Sequence, residues 1–94
     1  MNTTTDPITT ARAAALFLSD MSAADRPTRA QAEQAIGRTI RAHGGSRGCI
    51  ADMAAYYGDY PELAVPRMAW ARTVAETLRH RVSASRRSEL VLAA

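Results

Sequence analysis

PELAVPRMAWARTVAETLRHRV, residues 61–82, carries the strongest periodic signal in the chain. Ala64, Met68, Ala71, Ala75, Leu78 and Val82 recur there at alternating steps of four and three. On a helix that turns about 100° per residue, those positions stay within about 40° of one line. Upstream, Asp59 and Glu62 have the spacing of a capping box, with Asp in place of Ser or Thr. Pro66 lacks the N–H that would bond to Glu62, so the helix either kinks there or begins its regular part there.

Working back toward the N-terminus, three shorter helices are predicted. One runs from about Gly48 to Tyr57, with Ile50, Met53, Ala54 and Tyr57 inward and Gly58 as its stop. Before it, Thr28 caps a helix that reaches His43. Its inner face is Ala32, Ile36, Thr39, Ile40 and His43, while Gln34, Arg38 and Arg41 lie opposite and Gly44-Gly45 ends it. The first helix opens at Asp6-Pro7 and runs from Ile8 to about Met21, with Ala11, Ala14, Leu18 and Met21 aligned. Leu16 falls away from that face as surplus apolar surface, and residues 22–27 break the helix. The fold class is therefore all-α, a small bundle of four helices with a long C-terminal helix. The expected organisation is a flexible N-terminus over residues 1–7, one helical domain over 8–82, and a frayed or docked tail over 83–94.

Composition narrows the function classes. Twenty alanines favour helix almost everywhere. All twelve cationic residues are Arg, which reads first as GC-rich codon usage and only second as selection for guanidinium chemistry. The net charge of +3 is uneven: residues 1–27 are net negative, and residues 28–81 hold the positive excess. A local basic surface of this size suits phosphate or anionic partners. One cysteine rules out an internal disulfide and any cysteine-based zinc site. Lacking both an apolar run long enough for a membrane span and the pattern of a signal peptide, the chain is expected to be cytoplasmic.

No catalytic constellation is legible, and neither a cofactor nor a metal is expected. His43 sits on an apolar face beside a helix C-terminus, where a structural role is the expectation. His80 follows Glu76 by one helical turn, as a surface pair. Cys49 opens a helix but reads as a small packed side chain. The protein is expected to bind rather than to catalyse.

Two binding roles follow. Met53-Ala54, Tyr57-Gly58 and Pro61-Glu-Leu-Ala64 resemble the first helix, turn and recognition-helix opening of the helix-turn-helix family. That resemblance implies a DNA-associated regulator with a helix-turn-helix-like core, holding duplex DNA by its phosphates. The residues that would do so are Arg38, Arg41, Ser46, Arg47, Arg67 and Arg72, with the Gly44–Gly48 loop presenting backbone N–H groups. Asp59 departs from the family pattern, which has an apolar residue after the turn glycine. The outward face of the last helix also lacks side chains suited to reading bases. The alternative is a helical protein-protein interaction module. Leu63, Trp70 and Val74 widen the apolar sector of the last helix to one side and mark an interface, and homodimerisation is the plain expectation. Gly44-Gly45, Gly48-Cys49, the segment Gly58–Glu62 and the segment Arg67–Arg72 also resemble short Arg- and Ala-rich proteins of high-GC actinobacteria. That resemblance implies a source and brings no activity, ligand or site residue.

Overall fold

A computed structural model describes residues 6–93, with side chains over residues 6–79. Its helices are α1 (Pro7–Leu18), α2 (Arg29–Ala42), α3 (Ser46–Asp59) and α4 (Pro61–Ala93), with a short 3-10 turn at Ala23–Asp25. No strand occurs among the described residues, so the all-α, four-helix expectation holds. The backbone of α4 continues through the stretch expected to fray or dock. The side chains of Val82, His80 and the tail lie outside the described residues, as do residues 1–5.

The caps follow the local chemistry. Asp6 accepts from the Thr9 backbone N–H at 2.8 Å and from its hydroxyl at 2.9 Å. These two bonds, the backbone one first, hold the Asp6 carboxyl below its ordinary pKa. Thr28 and Gln31 form a reciprocal capping box at the start of α2, with bonds of 3.1 and 2.9 Å. Thr28→Ala should therefore lower stability by about 1 kcal/mol, read as a shift of the denaturation midpoint at unchanged slope. The box expected from Asp59 and Glu62 does not form. Asp59 is the last residue of α3, and the amides of Leu63 and Ala64 bond instead to the Tyr60 carbonyl. Helix α4 begins at Pro61, where a missing N–H costs nothing, and runs through Pro66.

At the centre of the bundle lies α1, packed against all three other helices. Five consecutive residues from Ala13 to Phe17 are buried, Leu16 completely. Over these five residues the helix is buried on every side and has no single inner face, which corrects the reading of Leu16 as surplus surface. Helix α4 buries Ala64, Met68, Ala71, Ala75 and Leu78 as its periodicity predicts, and α2 buries Ala32, Ile36 and Thr39. Helix α3 departs from expectation at Ile50 and Ala54, which are exposed, while Cys49 is completely buried as the packed side chain expected. The line Cys49–Met53–Tyr57 packs inward, and the thiol of Cys49 faces the Thr39 carbonyl at 3.7 Å. Burial, reinforced by the Asp52 charge, pushes this thiol's pKa up and keeps it protonated.

Candidate functional site

Helices α2 and α4 both pack on α1 but scarcely meet each other. Where they diverge, a cleft of about 560 Å³ opens. One wall is α4, contributing Trp70, Thr73, Val74, Thr77 and Leu78. The other is the link into α2, contributing Ala23, Arg26, Pro27, Thr28, Arg29 and Ala32. Thr73 and Thr77 donate their hydroxyls back to the Ala69 and Thr73 carbonyls at 3.0 and 2.9 Å, which uses both hydroxyl hydrogens within the helix.

Among the described residues the only charged groups lining the cleft are Arg26 and Arg29. Both are exposed, and neither forms an ion pair among the described residues. Arg26 also has a left-handed backbone, φ 46° and ψ 64°, a conformation that costs a non-glycine residue about 1–2 kcal/mol. A capping box just before it, between Ser22 and Asp25, fixes the turn that imposes this geometry.

Trp70 is held from behind. The Arg67 guanidinium stacks 5.0 Å from the centre of its ring. Arg67 itself donates to the carbonyls of Phe17, Leu16 and Ser19 at 2.7, 3.2 and 2.8 Å, satisfying the C-terminal end of α1. Burial draws the Arg67 pKa down and the nearby Tyr56 opposes this, yet a guanidinium stays charged at any physiological pH. The indole wall of the cleft is thereby fixed through α4 to the central helix.

The residues named from sequence divide among separate places. Trp70 and Val74 line the cleft; Leu63 lies further along α4, 61% exposed and outside it. Arg38 and Arg41 share a shallow concavity on α2 with Gly37, and Arg38 approaches Asp20 at 3.9 Å. Ser46 and Arg47 are exposed on the first turn of α3, whose N-cap Gly45 offers no side-chain bond. Arg72 borders a small cavity beside α1 and α3, and Arg67 is turned inward onto α1. Arg38 and Arg41 thus come together, while Arg67 is engaged with α1.

His43 pairs through Nδ1 with Asp52, tying the end of α2 to α3, while the Cys49 thiol points elsewhere. Glu76 pairs with Arg79 at 3.4 Å. Among the described residues no cluster of His, Cys, Asp and Glu could hold a metal ion, and no helix is long and apolar enough to cross a membrane. Sequence reading passed over Arg26 and Arg29. They flank a Pro-Thr helix opening, and only the placement of α4 beside them turns that opening into a wall. No family model, curated protein or solved structure matches the chain.

Proposed function

We propose that this chain is a non-enzymatic helical interaction module, which takes an apolar segment flanked by acidic residues into the cleft between α2 and α4. One observation carries the reading: an apolar cleft whose only charges, among the described residues, are two exposed arginines without acidic partners there. Trp70 supplies the large, rigid contact surface that anchors interfaces. Arg26 and Arg29 supply charge at the rim, where it selects partners more than it adds affinity. The strain held at Arg26 supports the same reading, because left-handed non-glycine residues concentrate at functional positions.

Trp70 is the only tryptophan, so its emission reports on the cleft directly. An amphipathic helical peptide with an apolar ridge flanked by Glu should give a saturable change in that emission. A twin peptide with Lys in place of Glu should bind at least about tenfold more weakly, and Arg26→Glu with Arg29→Glu should weaken the acidic peptide by a similar factor. Equal binding of both peptides, or of neither by a chain whose cleft is open, overturns the proposal. Salt-sensitive binding to duplex DNA that disappears in Arg38→Glu with Arg41→Glu, without any peptide binding, would move the function to phosphate contact instead.

A further inference from the structure

The cleft calls for an apolar, acidic occupant, and the chain displays one on its own surface. At the corner where α3 passes into α4, Tyr60, Leu63 and Val65 are 53%, 61% and 57% exposed. Asp59 and Glu62 stand among them, also exposed, and neither forms an ion pair among the described residues. The corner thus mirrors the cleft in chemistry, with carboxylates where the cleft has guanidiniums.

Their placement along α4 is also matched. Leu63, Trp70 and Val74 follow one another at steps of seven and four, the spacing of a seam between paired helices, with the Arg67 head group between them turned onto α1. Leu63 and Val74 are equally distant from the midpoint between Arg67 and Trp70, and about 16 Å separates them along the axis. Two α4 helices laid antiparallel about that midpoint bring Leu63 of each copy opposite Val74 of the other.

Resting on the interaction-module reading, we infer that the occupant of the cleft is a second copy of this chain. The α4 helices pair antiparallel across a two-fold axis near Arg67 and Trp70. The Asp59–Val65 corner of each copy sits in the cleft of the other, its carboxylates facing Arg26 and Arg29. A contact of this kind is isologous, so it closes as a dimer and leaves neither surface open to further copies.

Sedimentation equilibrium tests this, with circular dichroism confirming the fold of each variant. Wild type should be a dimer. Arg26→Glu with Arg29→Glu, and separately Asp59→Arg with Glu62→Arg, should each weaken self-association at least about tenfold by placing like charges across both contacts. Mixing the two variants should restore a one-to-one dimer, because the reversed cleft then meets the reversed corner and the native cleft meets the native corner. A dimer that neither reversal weakens, or variants that do not combine on mixing, overturns the inference. So does a wild type that stays monomeric at its highest attainable concentration. The Asp59→Arg, Glu62→Arg variant keeps an intact cleft and separates this failure from that of the module itself. If it binds the acidic peptide while wild type does not self-associate, only self-docking falls; if it binds nothing, the cleft reading falls with it.

Discussion

Gly48→Ala should destabilise the protein by about 3 kcal/mol or more, because no room exists for one added carbon. A Cβ at Gly48 would lie 1.7 Å from the His43 carbonyl oxygen and 2.9 Å from its carbon. Both neighbours are backbone, so no flexible side chain can swing aside. The turn between α2 and α3 is already tight, with Gly44 and Gly45 at φ 76° and 108° and the Gly45 amide bonded to the Ile40 carbonyl at 2.8 Å. To accept the methyl group, α3 has to move away from the end of α2. That motion pulls on the next residue, Cys49, which is completely buried, and on the His43–Asp52 pair. Gly58→Ala is the internal control, since nothing lies within 4 Å of its added carbon. It should be neutral or stabilise by up to about 1 kcal/mol through helix propensity. Urea denaturation of the two variants separates them, and equal midpoints would show that the α2–α3 contact is misjudged.

Arg67→Met should cost about 2–4 kcal/mol, the second-largest effect expected. The substitution keeps apolar volume on α4 but leaves the Leu16, Phe17 and Ser19 carbonyls without their charged donor. Those bonds act as a unit, so their separate values do not add. Helix α1 has no basic residue in its own last turn, so this arginine from a distant helix is the cation at its C-terminal end. The same change removes the cation stacked on Trp70, so the emission of the folded protein should shift together with its stability. Arg67→Lys keeps the charge but cannot span three carbonyls, and it should recover only part of the loss. An Arg67→Met protein as stable as wild type yet weaker on duplex DNA would return this residue to the phosphate-binding role read from sequence.

Periodicity in α4 and α2 was legible because each buries one stripe against one main neighbour. The Thr28 cap was legible because a capping box is a local device, complete within four residues. Helix α1 was misread for the opposite reason. Its burial comes from three neighbours at once, and Ala13–Ala15 carry no polar residue to mark an outer face. The exposure of Ile50 was hidden because Cys49 and Ile50 are adjacent and both apolar, so tertiary packing of Cys49, Met53 and Tyr57 decides which turns inward. Of the candidate site, Trp70 and Val74 were visible as apolar surplus on α4. Arg26 and Arg29 were not, since a wall built from two separated segments has no local pattern. Arg67 illustrates the same limit, as its partners lie 48 to 51 residues away.

The central position of α1 has a kinetic consequence. Its most extensive packing is with α4, so the contacts that define the bundle join the two most separated helices in the sequence. A helical protein usually folds fast because its contacts are local, and this topology gives up part of that advantage. During synthesis α1 emerges before every helix that covers it: Phe17 waits for Tyr56 and Tyr57 of α3, and the largest part of the packing waits for α4. The bundle therefore closes late and as one unit, and α1 with α2 alone should show no cooperative unfolding transition.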